Sequence, residues 1–173
     1  MAGNERSMEG NRLKSTGRHL LVEYKSCNPQ ILNDRSSIET LMQNAAKASG
    51  TTIVTSVFHP FFPQGISGVV VIEESHLSIH TWPEYGYAAV DFFTCGDGIP
   101  ERAHEVLKEG LGAEVSEVMF VSRGFLTNAT SMEVRSHRTE DRNGHTIHMS
   151  TLHEVVDPEI PVMENSLVQN VAK

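Results

Sequence analysis

The chain has 173 residues, 39% of them hydrophobic and 21% charged, which fits one globular domain with a single core. Its formal net charge of −8 sets nucleic acid aside as a partner, because phosphate binding needs a cationic face to displace counterions. The longest apolar run, Gly68 to Ile72, is far too short to span a bilayer, so no membrane partner is expected.

Residues 1–16 are polar, mixed in charge and without an apolar leader core; they are expected to be a mobile extension of a cytoplasmic protein. Arg18 to Cys27 has strand composition, and the Asn28-Pro29 step ends it. A helix follows, with Ser36 or Ser37 as its cap, Ile38, Leu41, Met42 and Ala45 as its buried stripe, and Gly50 at its close. Four β-rich stretches come next, Thr51 to Phe58, Ile66 to Glu74, His76 to Trp82 and Tyr87 to Cys95. They are broken at Phe62-Pro63-Gln64-Gly65, Glu74-Ser75 and Pro83-Glu84-Tyr85-Gly86, and should form an antiparallel meander.

Pro100 suits a second helix start, Ala103, Val106 and Leu107 its buried side, and Gly110 or Gly112 its end, ahead of a strand over Glu114 to Ser122. Helices on one face of an antiparallel sheet make a two-layer α+β sandwich, in an order that leaves open a pseudo-symmetric pair of halves. From residue 124 to 173 the periodicity fades, and a loosely ordered tail is expected. His137, His145, His148 and His153 in it are expected to be solvated, not metal ligands, because no cysteine or supporting pattern accompanies them. Cys27 and Cys95 make neither a disulfide framework nor a zinc site.

Chemistry concentrates between Glu74 and Gly96. The chain has no G-x-S-x-G elbow, no H-E-x-x-H and no phosphate loop. What remains is Ser75 directly after two acids, His80 five residues on and Cys95 twenty residues on. On residue types alone these are also the makings of a strand-edge hydroxyl, a half-buried imidazole and a small core thiol.

The run GVVVIEESHLSIHTWPEYGYAAVDFFTCGD, with GRHLLVEY and ASGTTIVTSVFHPFFPQGISG before it, resembles the prokaryotic S-adenosylmethionine decarboxylases over residues 17–123. That family consists of pyruvoyl enzymes that cleave themselves before a serine. The resemblance implies a proenzyme cut between Glu74 and Ser75, with Ser75 becoming a covalent pyruvoyl group that holds substrate as a Schiff base, and with neither a metal nor pyridoxal phosphate. It makes Ser67 a support for the processing step, His80 the processing base and Cys95 the catalytic proton donor. Phe61 and Trp82 would stack on adenine, and Glu84 would accept from the ribose hydroxyls. The implied assembly is a homodimer of cleaved protomers, and the implied product is the aminopropyl donor for spermidine synthesis.

Two alternatives accompany this reading. One is a pyruvoyl-dependent decarboxylase of arginine or ornithine, which would need neither Trp82 nor Glu84; the other is a non-cleaving regulatory paralogue, which would have no use for the whole reactive set. Strand alternation also puts residues 75 and 80 on opposite faces, so a bend or bulge at the scissile bond is expected.

Overall fold

A computed structural model of the chain describes residues 16–126 and 129–150. The expected mobile extension therefore falls, but for Thr16, outside the described residues, as do residues 151–173.

Strand β1 (Thr16–Lys25) alternates strictly: Leu20, Val22 and Tyr24 are buried, while His19, Leu21 and Glu23 face the other way. A single helical turn, α1 (Pro29–Leu32), follows, with the Asn28 side chain accepting from the Gln30 backbone N–H at 2.9 Å. Helix α2 (Arg35–Ala48) is capped by Asp34, not by Ser36 or Ser37. The Asp34 carboxylate accepts from both serine backbone N–H groups, at 3.1 and 3.3 Å, and from the Ser37 hydroxyl. An anion at this end also meets the positive pole of the helix dipole, which a serine cannot match. Ile38, Met42, Ala45 and Ala46 form its buried stripe.

The meander comprises β2 (Ile53–Pro60), β3 (Ile66–Ile72), β4 (Ser75–Trp82) and β5 (Tyr87–Thr94). A 3-10 turn at Pro83–Tyr85 joins the last two and closes on Gly86 in the left-handed region at φ 56°. Helix α3 (Pro100–Gly110) starts on its proline and buries Ala103, His104, Leu107 and Lys108. It leads into β6 (Val115–Leu126), β7 (Ala129–Asp141) and β8 (Thr146–Ser150).

All pairings are antiparallel, in the order β2-β3-β4-β5-β1-β6-β7-β8. Strand β1 thus lies between β5 and β6, so the two halves interleave instead of standing side by side. Helices α2 and α3 cover one face, and Ile38, Met42, Ala103 and Leu107 join Leu20, Val22, Ile79 and Phe92 in one core. Each of the larger side chains among these contributes about 1.5–3 kcal/mol by burial. The opposite face, with Leu21, Val69, Ala89 and Phe93 at its centre, carries no helix among the described residues. No helix among the described residues is long and apolar enough to cross a membrane.

Residues 124–126 and 129–150 correct the expected loose tail over that part of it. They complete β6 and form β7 and β8, because an antiparallel edge propagates through main-chain hydrogen bonds that polar side chains do not prevent. The addition is tied to the core by a buried polar cluster. The Tyr24 hydroxyl lies 2.8 Å from His104 Nδ1, and His104 Nε2 lies 3.2 Å from Glu140 on β7. Lys108 reaches the same carboxylate at 3.4 Å, and Arg138 donates to its other oxygen. Burial lowers the His104 pKa, against the pull of Glu140.

Candidate active site

Strands β3 and β4 are joined by a two-residue turn, Glu73-Glu74, across which Ile72 pairs with Ser75. A turn this tight forces an unusual backbone, and it falls on Ser75, whose φ is +151°. That is glycine territory, and a residue with a Cβ is held there at a cost of about 1–3 kcal/mol. The bend expected at the scissile bond is therefore present as local strain. Alternation alone would aim Ser75 at the helix side with Ile72 and Thr94; instead its Oγ lies 3.2 Å from Nδ1 of His76.

The peptide is held from its other end as well. The Glu74 carbonyl oxygen accepts the Cys95 backbone N–H at 3.0 Å and the Cys95 thiol at 3.0 Å. The Glu74 side chain is buried and accepts from the Thr52 N–H at 3.2 Å. Gly96 is needed here, since a Cβ on it would stand 2.6 Å from Glu74 Cγ. Two donors on one carbonyl oxygen strengthen as that oxygen gains charge, so the arrangement favours a tetrahedral adduct at the Glu74 carbon.

A second cluster lies toward the far end of β4. Ser67 on β3 and His80 on β4 are paired in register, and the serine hydroxyl is hydrogen-bonded to His80 Nδ1. Trp82, 38% exposed, stacks on Tyr87 with ring centroids 5.0 Å apart and planes at 28°. Phe61, 53% exposed, stands edge-on to His59 at 5.0 Å. Glu84 accepts from the Gln64 amide at 3.0 Å. The Tyr87 hydroxyl donates to Glu23, and burial together with that carboxylate pushes the phenol pKa up to about 12.

The structure thus brings together Glu74, Ser75 and Cys95, and separately groups Ser67 with His80 near Phe61, Trp82 and Glu84. The groups do not meet within one chain. Ser75 and His80 are five residues apart on a strand with unbroken register to both neighbours, which is about 16 Å at roughly 3.3 Å per residue. The sequence leaves His76 as a structural residue and does not single out Gln64 or Tyr87. For His76 the signal was its position beside Ser75; Gln64 and Tyr87 became visible only through the turns that fold them onto Glu84 and Trp82.

Among the described residues no group of three or more His, Cys, Asp or Glu side chains could hold a metal ion. His137 and His145 lie 2.7 Å from Glu117 and 3.1 Å from Asp141; His153 is outside the described residues.

A two-layer α+β sandwich with a serine on a strained peptide, whose carbonyl carries two donors, is suited to N-to-O acyl rearrangement of the main chain. The chain belongs to the S-adenosylmethionine decarboxylase family: the profile of that description matches residues 18–124. It is 55% identical over 113 residues to the S-adenosylmethionine decarboxylase proenzyme of Thermotoga petrophila, covering 65% of this chain and 87% of that one. The proenzyme of Thermosipho africanus is 50% identical over 129 residues, 74% of this chain and 99% of its own. A crystal structure of the adenosylmethionine decarboxylase from Aquifex aeolicus VF5 superposes with a TM-score of 0.60 at 31% identity, covering 68% of this chain and 98% of that one.

Proposed function

We propose that the chain is a pyruvoyl-dependent S-adenosylmethionine decarboxylase of the cytoplasm, matured by its own cleavage between Glu74 and Ser75, whose product is the aminopropyl donor for spermidine synthesis. The observation that carries this reading is the Glu74–Ser75 peptide, with a strained serine on one side and the two Cys95 donors on the other. Ser75 Oγ attacks the Glu74 carbonyl carbon, and the Cys95 N–H and thiol hold the oxygen as it becomes an anion. The C–N bond then breaks, leaving an ester between Glu74 and Ser75 and a free amine on residue 75. His80 takes the α-proton of residue 75, the Glu74 carboxylate leaves, and water releases ammonia from what remains.

The group so made supplies a ketone that accepts the electron pair left when carbon dioxide departs. Cys95, fixed at that position by β5, returns a proton to the substrate carbon. Phe61 and Trp82 offer flat, exposed faces for a purine and a sulfonium. Glu84, oriented by Gln64, accepts from the ribose hydroxyls. Exposed aromatic rings have no counterpart need in a small amino acid such as arginine or ornithine, and this favours the nucleoside substrate.

His80 must reach a Ser75 that is about 16 Å away along its own strand. The reading therefore includes a two-fold dimer, in which the uncovered sheet faces meet and the Ser67–His80 cluster of each protomer completes the Ser75–Cys95 site of the other. Intact-mass spectrometry of the denatured mature protein tests the proposal. Two fragments are expected, residues 1–74 and 75–173, the second lighter by one ammonia than a chain starting with serine. A single chain of 19.1 kDa, or release of carbon dioxide from arginine or ornithine but not from S-adenosylmethionine, overturns it.

A further inference from the structure

We infer that His76 is the general base of the first maturation step, the one that draws the proton from Ser75 Oγ as it attacks Glu74. The inference rests on the maturation reading above and assigns a group that His80 leaves unaccounted for. His80 of the same chain stands five residues away along an unbroken strand, and the His80 that the proposed dimer brings to the site has its Nδ1 engaged by Ser67 and is assigned the later α-proton. Cys95 does not serve either, because its thiol and N–H both point at the Glu74 carbonyl oxygen and donate to it. The basic nitrogen facing the nucleophile is His76 Nδ1, 3.2 Å from Ser75 Oγ, within the reach a general base needs. In the tautomer that carries its ring proton on Nε2, Nδ1 accepts from the hydroxyl, and this is the form the step uses.

The placement is fixed by the fold. His76 pairs in register with Val71 on β3 and Phe93 on β5, and Phe93 pairs in turn with His19 on β1. The His76 ring stands 6.2 Å from the Phe93 ring, with the Arg123 guanidinium 4.6 Å above the centroid of the same ring. The φ of +151° at Ser75 breaks the strand conformation under which alternation would separate its side chain from that of His76, and the two are within hydrogen-bond distance. Strain and base therefore meet at one residue: the first loads the peptide at Ser75, the second removes the proton of its hydroxyl.

The step balances as follows. The proton leaves Oγ for Nδ1 while the Oγ–C bond forms and the carbonyl oxygen takes the charge under the two Cys95 donors. The imidazolium then returns the same proton to the main-chain nitrogen as the C–N bond breaks. No water, metal or oxidant is consumed, and His76 ends in the state in which it began.

The test follows maturation of freshly synthesised full-length chain by intact mass, with and without hydroxylamine, which cuts esters and spares amides. In His76→Ala, and in His76→Gln, which keeps bulk and polarity if alanine upsets folding, the uncut chain should persist as an amide. Cleavage should slow by about 10²-fold or more, and added imidazole should speed it in the alanine variant. His80→Ala should instead halt at the hydroxylamine-sensitive ester. Cleavage of either position-76 variant at the wild-type rate, accumulation of ester in its place, or a slow alanine variant indifferent to imidazole overturns the assignment. An uncut wild-type chain sinks both the maturation reading and this one; a cut wild type with equally fast His76 variants sinks only this one.

Discussion

Replacing Ser75 by alanine removes the one oxygen that can close a five-membered ring on the Glu74 carbon, so Ser75→Ala should remain a single chain on a denaturing gel however long it is kept. Cys95→Ala should behave differently, because it loses the thiol but keeps the backbone N–H that also holds the Glu74 oxygen. Cleavage should proceed, more slowly, while decarboxylation falls by about 10²-fold or more for want of its proton donor; a variant with full steady-state turnover would rule that role out. At this scale the sequence was informative where chemistry clusters along the chain: Ser75, His80 and Cys95 stood out before any coordinates. It was silent where chemistry depends on register. The two Cys95 donors converge on Glu74 because β4 and β5 pair Ser75 with Thr94, and no spacing of letters announces that.

Among the elements, α3 and β7 are coupled by the buried His104–Glu140 contact, and this coupling has a definite pH sign. His104 has its pKa lowered from 6.5, chiefly by burial, so the unfolded chain takes up a proton that the folded one resists. Stability is then fully present above about pH 6.5 and declines as the pH falls through that value. His19, also lowered mainly by burial, acts in the same direction. Thermal melts between pH 7.5 and 5.5 should show a falling Tm, with a shallower fall in His104→Gln; an unchanged slope in that variant would remove His104 from the account. The elements themselves were largely legible, since apolar periodicity and the Pro and Gly breaks located both long helices and the four strands of the meander. The Asp34 cap was missed because three polar residues compete for one helix start, and only the geometry decides between them. Strands β7 and β8 were missed because main-chain pairing at a sheet edge leaves little trace in side-chain hydrophobicity.

For the molecule as a whole, the separation of Ser75 from His80 makes the proposed pairing of protomers open to a complementation experiment. Ser75→Ala and His80→Ala chains, each unable to mature alone, should when co-expressed form mixed dimers with one complete site. Random assembly gives mixed dimers half the time, so about a quarter of wild-type sites should be recovered. No recovery at all would mean that each chain works by itself, in conflict with the strand geometry. Two layers and helices on one face follow from composition and order; the threading of the sheet does not, because β1 could have lain at an edge at no cost visible in its residues.

That threading also governs what a severed chain can do. The piece ending at Glu74 carries β1, β2 and β3, and β1 is hydrogen-bonded on both sides to strands of the other piece. The nicked product is thus stitched along three ladders, β1 to β5, β1 to β6 and β3 to β4, and neither part can leave without tearing the middle of the sheet. Once melted, however, the parts are separate molecules whose reunion is a bimolecular encounter, so recovery of the folded sheet after heating should depend on protein concentration more steeply in the cut form than in Ser75→Ala, whose only bimolecular step is the pairing of protomers.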